Sequence, residues 1–141
     1  YVTGYDLDPD GKFQDVTTAM HPSVAWATGG IVSSAEDILT WAENLFEGNV
    51  LSPGMRQEMM TPVALNNGTL ANYGLGLEIS RTPWGVRYGH SGGPIKGYAA
   101  SMTYLPAKKS MVVVLVNTAN LKTGSAIFGT GWKTILYGKI N

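Results

Sequence analysis

The sequence predicts an α+β fold in which an antiparallel sheet packs against helices. Three observations point there. Two stretches in the first half place apolar residues at helical spacing. Four runs in the second half have the alternation or the β-branched composition of strands. The links between those runs are mostly short, and short links join antiparallel strands.

Residues 1–30 read as irregular, with a turn at Asp8-Pro9-Asp10-Gly11, where Pro presets φ and Gly supplies a positive φ. His21-Pro22 and Gly29-Gly30 are further breaks. Ser33 and Glu36 have capping-box spacing. Ile38, Leu39, Ala42, Leu45 and Phe46 then predict a helix over 35–46, with Trp41 as helix packing and Gly48 at its C-terminal end. Ser52-Pro53 opens a short helix that stops before Pro62, with Met55, Met59 and Met60 as core filler. Tyr73, Leu75, Leu77 and Ile79 alternate with Gly74, Gly76 and Glu78, which predicts a strand with one packed face. Residues 86–90 and 97–105 predict two more strands, the latter closed by a turn at Pro106-Ala107-Lys108-Lys109. The unbroken apolar run 111–116 suits a central strand covered on both faces. Ile127/Phe128, Trp132, Ile135/Leu136 and Ile140 recur about four apart and predict a terminal helix, weakened by roughly 1 kcal/mol at each of Gly129 and Gly131.

The chain has 141 residues, one domain's worth or part of a larger domain. An apolar fraction of 44% against 14% charged residues argues against a disordered chain. Lys+Arg and Asp+Glu number 10 each, so no global field draws the chain to nucleic acid. The run 111–116 is the longest apolar one, far short of the roughly 20 residues of a membrane span. With no cysteine there is no disulfide scaffold, thiolate metal site or Cys nucleophile. The start at Tyr1 and the 18 glycines lead us to expect the C-terminal portion of a longer chain.

Chemistry concentrates in Tyr88-Gly89-His90-Ser91-Gly92-Gly93-Pro94. Read as a nucleophile elbow, Gly89 to Gly93 would make Ser91 the nucleophile, but that arrangement needs a downstream His and none follows His90. Read as a chymotrypsin-like G-D-S-G-G-P segment, the stretch has His90 in place of Asp, and His21 is a poor upstream triad member. The third pattern is a strand carrying a cation or imidazole, a hydroxyl and a Gly: His90-Ser91-Gly92, followed by Gly93. The imidazole supports proton transfer. In such a pattern the hydroxyl would bind a substrate carboxylate or amide, and Gly would let substrate backbone lie against the strand. The N–H of Gly93 can form half of an oxyanion hole. His21 and His90 make a poor metal pair, and Gly89 to Gly93 lacks the ending of a phosphate loop.

In order and spacing, these blocks resemble the C-terminal part of the serine β-lactamase and DD-peptidase family, nearest to DD-carboxypeptidases, class C β-lactamases and related esterases. The resemblance is carried by Gly4-Tyr5, the run 26–38 beginning Trp26-Ala27-Thr28-Gly29-Gly30, Tyr73-Gly74-Leu75-Gly76-Leu77, Tyr88 to Gly92 with Gly97-Tyr98, and the run 112–118. It implies part of a β-lactamase/transpeptidase-like fold, with residues 1–141 as the later portion of one catalytic domain. It also implies a serine acyl-transfer hydrolase outside the cytoplasm, without a cofactor, acting on a small-molecule or peptide acyl substrate. His90 and Ser91 take the catalytic places of the family's third motif. Gly92 and Gly93 take the substrate and oxyanion places, and Trp26 an active-site wall, against a default reading of Trp26 as core. An Arg that holds a substrate carboxylate in some members has its nearest match at 78–81. The family's S-x-x-K and Y-x-N motifs do not occur here, so this chain alone is expected to be inactive. Lys122-Thr123-Gly124 lies beyond the last strand and reads as a decoy. The alternative is a non-catalytic binding or accessory domain that kept the fold. A fragment would expose apolar surface and associate with itself or with the missing portion.

Overall fold

Residues 2–118 and Gly129 are described by the computed structural model. The element order is β1 (Tyr5–Leu7), β2 (Phe13–Asp15), a 3-10 segment (Pro22–Thr28), α1 (Ala35–Phe46), α2 (Pro53–Met59), β3 (Glu78–Thr82), β4 (Gly85–Ile95), β5 (Tyr98–Leu105), a 3-10 turn (Pro106–Lys108) and β6 (Ser110–Val116). β1 and β2 form one antiparallel pair, and the larger sheet has the order β3-β4-β5-β6. The fold is α+β, as expected. The terminal helix and Lys122-Thr123-Gly124 lie outside the described residues, apart from Gly129, which is helical. No described helix is long and apolar enough to cross a membrane.

The described residues fall into two compact units, and strands β4, β5 and β6 each contribute residues to both. One comprises Glu36–His90 and Met102–Val112. The other comprises Ala35 and the residues before it, Ser91–Ser101, and the residues from Val113 onward.

The first unit holds a hydrophobic cluster. Helical spacing on α1 turns Ala42, Leu45 and Phe46 inward, where they meet Met59, Leu77 and Tyr104. Phe46 and Tyr104 stack with ring centroids 4.7 Å apart, and the Tyr104 hydroxyl donates to Glu47. Ser52 caps α2 by accepting from Met55 N–H at 3.3 Å. Arg56 ties the two helices together: Nη1 donates to Phe46 O at 2.7 Å, and Nη2 donates to Gly48 O and Leu51 O.

Three expectations for this unit are corrected. Trp41 and Met55 are exposed by 53% and 58%, so neither is core. α1 begins at Ala35, which puts Ser34 in the cap position, and Ser33 Oγ donates to Ser34 O instead. The alternating run from Tyr73 is not a strand until Glu78. Gly76 takes φ 74°, Gly74 N–H donates to Leu77 O at 2.8 Å, and Tyr73 bridges back to Glu78. A positive φ folds the run into a tight turn that buries Leu77 and leaves Leu75 exposed.

The second unit holds the β1–β2 hairpin in the stretch expected to be irregular. Its turn is the expected one: Asp8 Oδ1 accepts from Asp10 N–H at 3.0 Å and Lys12 N–H at 2.8 Å. Tyr5 N–H donates to Asn117 O at 2.9 Å, and Tyr5 bridges Thr118 in parallel. The apolar run expected to be a central strand forms β6, which ends the described sheet order; Val112 is buried but Leu115 is 38% exposed.

Candidate active site

Strand β4 carries the His-Ser-Gly stretch, and it runs longer than the predicted 86–90, through the glycines to Ile95. It lies between β3 and β5 in the sheet order, so it is not an edge strand along its whole length. Its pairing with β3 starts at Thr82↔Gly85 and ends at Glu78↔Gly89, where β3 begins. From His90 onward β4 has run past β3. His90, Ser91, Gly92 and Gly93 are all exposed. The preceding residue, Gly89, is buried against β5: a Cβ there would lie 2.1 Å from Met102 O.

His90 is paired with a residue that sequence spacing did not single out for chemistry. Its Nε2 is 2.8 Å from the hydroxyl of Tyr73. The two rings meet edge to face, 5.7 Å between centroids and 89° between planes. Tyr73 O accepts from Val63 N–H at 2.9 Å, which fixes the backbone that presents the phenol.

Ser91 Oγ lies 3.3 Å from Ser101 Oγ on β5, and either hydroxyl can donate. Gly92 has room for a side chain, the nearest atom to a Cβ being that of Ala100 at 3.9 Å. Gly93 adopts φ 130°, which L side chains rarely take, and a Cβ there would meet Ala99 Cβ at 3.3 Å.

Trp26 lies on the 3-10 segment. Trp26 is 84% exposed, which overturns the default core reading, and its φ of 44° is an outlier for a bulky residue. The ring that meets His90 is that of Tyr73. Arg81, near the expected carboxylate-binding place, is exposed on β3 opposite Val86. Among the described residues no group of three or more His, Cys, Asp or Glu is arranged to hold a metal ion. A cavity of about 530 Å³ in the helical unit is lined by residues including Arg56, Met60 and Tyr88, and His90 is not in its lining.

Tyr73 and Ser101 are the partners that the sequence reading missed. Tyr73 was legible as a packed strand residue and as the start of one of the blocks that carry the resemblance, without a chemical role, and Ser101 only as part of a strand. The residue pairs are 17 and 10 positions apart, too far for a local pattern to show.

Residues 2–127 match the family described as Beta-lactamase. A D-aminopeptidase from Gluconobacter oxydans (strain 621H) is 25% identical over 116 residues, covering 77% of this chain and 22% of the relative. Penicillin-binding protein 4* of Bacillus subtilis (strain 168) is 26% identical over 113 residues, covering 79% of this chain and 25% of the relative. The chain thus spans about a quarter of the length of these curated relatives. Among solved structures, a D-stereospecific amidohydrolase from Streptomyces sp. aligns with TM-score 0.70 and 22% identity, over 99% of this chain and 40% of the other. A penicillin binding protein from Bacillus halodurans aligns with TM-score 0.64 and 20% identity, over 90% of this chain and 39% of the other.

Proposed function

The chain belongs to the Beta-lactamase family, and on that premise we propose that it is the later part of a serine acyl-transfer hydrolase and supplies its His-Ser-Gly strand. The observation that supports this reading best is the exposed stretch of β4 from His90 to Gly93, which continues past the end of β3. An exposed strand segment of this kind can receive an extended substrate.

In this proposal the nucleophile is a Ser of an S-x-x-K motif in a segment preceding Tyr1. Its hydroxyl adds to a carbonyl carbon, the carbonyl oxygen takes up negative charge, and the leaving group departs with a proton. His90 supports that proton movement. The Ser91 hydroxyl binds a carboxylate or amide of the substrate. The Gly93 N–H donates to the oxyanion. Gly92, without a side chain, keeps the strand open to substrate backbone. Trp26, exposed and held at a positive φ, is proposed as an apolar wall.

Two of the similar proteins are named for D-configured substrates, a D-aminopeptidase and a D-stereospecific amidohydrolase. We therefore favour an amide next to a D-residue as substrate, handled outside the cytoplasm. The test uses the full product of the gene that encodes this chain, with a fluorescent penicillin and a D-alanine anilide as probes. Labelling or hydrolysis is expected, and His90→Ala should slow acylation by roughly 10²-fold. Residues 1–141 alone should form no adduct. A full product inert to both probes would favour a non-catalytic accessory domain.

A further inference from the structure

We propose that Tyr73 is a positioning residue for His90, holding the imidazole in one orientation whether or not it carries a proton; the proposal rests on the functional reading above. The geometry is specific. The hydroxyl lies 2.8 Å from Nε2, and the perpendicular rings leave the phenol directed at that nitrogen.

The support under Tyr73 is as specific as the contact. Tyr73 O accepts from Val63 N–H at 2.9 Å, and Leu75 N–H donates to Met59 O at 3.0 Å. Gly74 between them approaches the end of α2 so closely that a Cβ would lie 2.2 Å from Met59 O. The turn is therefore held on both sides of Gly74, by Val63 on one side and by the last residue of α2 on the other. A phenol has only two side-chain torsions, so an anchored backbone leaves its hydroxyl little freedom.

The chemistry suits a group that exchanges protons. A phenol hydroxyl can donate to a neutral Nε2 and can accept from a protonated Nε2–H. A carboxylate in the same place would favour the charged imidazole, and an amide would need to flip. Tyr73 can keep its bond through a protonation change by rotating one hydroxyl hydrogen. In this role it acts through His90.

The test is Tyr73→Phe, which keeps the ring and removes the hydroxyl. Tyr73 is 39% exposed, so the variant should fold, and a thermal melt checks it. In the full gene product, acylation by a fluorescent penicillin should fall about tenfold, the scale of one lost hydrogen bond. The double variant with His90→Ala should be no slower than His90→Ala alone. Independently of activity, the Nε2 nitrogen resonance of His90 should move in Tyr73→Phe. If Tyr73→Phe acylates at the parent rate while His90→Ala is slow, or if the two losses multiply, the positioning role is overturned. An unmoved Nε2 resonance overturns the pairing itself. His90→Ala at the parent rate overturns instead the functional reading on which the proposal rests.

Discussion

The backbone of Gly89 runs so close to Met102 that a methyl group on Gly89 would sit 2.1 Å from the Met102 carbonyl oxygen and 2.8 Å from Thr103 Cα. Both obstacles are backbone atoms of the neighbouring strand, so no side chain can rotate away. Gly89→Ala must push β4 and β5 apart next to His90. The expected cost is about 1–3 kcal/mol, as for an overpacked core. Urea unfolding should show a lower midpoint with an unchanged slope. An unshifted midpoint would mean that the strands tolerate the separation.

Tyr104 sets a pH dependence at the alkaline end. Burial first, then the hydrogen bond to Glu47 and the Glu47 charge, raise its phenol above the usual 10.0, while Arg56 pulls the other way. The folded group therefore holds its proton to higher pH than the unfolded one. Its contribution is complete below pH 10 and is lost as pH rises from there through the folded value. Urea midpoints should fall as pH rises above 10, and Tyr104→Phe should flatten that fall. Glu47 is exposed, so removing its partner strands no buried charge. An equal slope in the variant would assign the alkaline loss to other groups.

The helices were legible because their signals are local. Ser52-Pro53 marks the start of α2, and the spacing from Ile38 to Phe46 marks the inner face of α1. On α2 the helical spacing of Met55, Met59 and Met60 misplaced Met55, because periodicity says which residues share a face and not which residues the neighbours cover. β1 and β2 are three residues each, too short for alternation to register, and only their turn was visible. The Tyr73 run alternates like a strand, but Gly76 at φ 74° turns the chain. In the candidate site, His90 and Ser91 stood out by motif, whereas Tyr73 and Ser101 reach them only through tertiary structure.

Phe46 is the aromatic centre of the helical unit, 2% exposed and stacked on Tyr104. Phe46→Ala removes the ring from a packed cluster and leaves a cavity. The expected loss is about 3–5 kcal/mol. Ser52→Ala removes only the cap on Met55 N–H and should cost about 1 kcal/mol. The two sites differ enough that chemical denaturation of each variant should rank them without ambiguity. A cap variant as damaging as the core variant would mean that α2 holds more of the unit together than its seven residues suggest.

The neighbouring glycines of the motif separate scaffold from site. Gly93 holds φ 130°, and a Cβ there would crowd Ala99, so Gly93→Ala should destabilise by about 1–3 kcal/mol. At Gly92 the nearest atom to a Cβ is 3.9 Å away, an ordinary contact, so Gly92→Ala should change stability by less than about 0.5 kcal/mol. If the proposed strand receives substrate backbone, the added methyl at Gly92 stands where that backbone must lie. Acylation by a fluorescent penicillin should then drop at least about tenfold in a protein that melts normally, an effect of about 1.4 kcal/mol on the barrier. Parent-like acylation in a normally folded Gly92→Ala protein would show that no substrate passes over this residue, and the third-motif reading of His90-Ser91-Gly92 would fall with it.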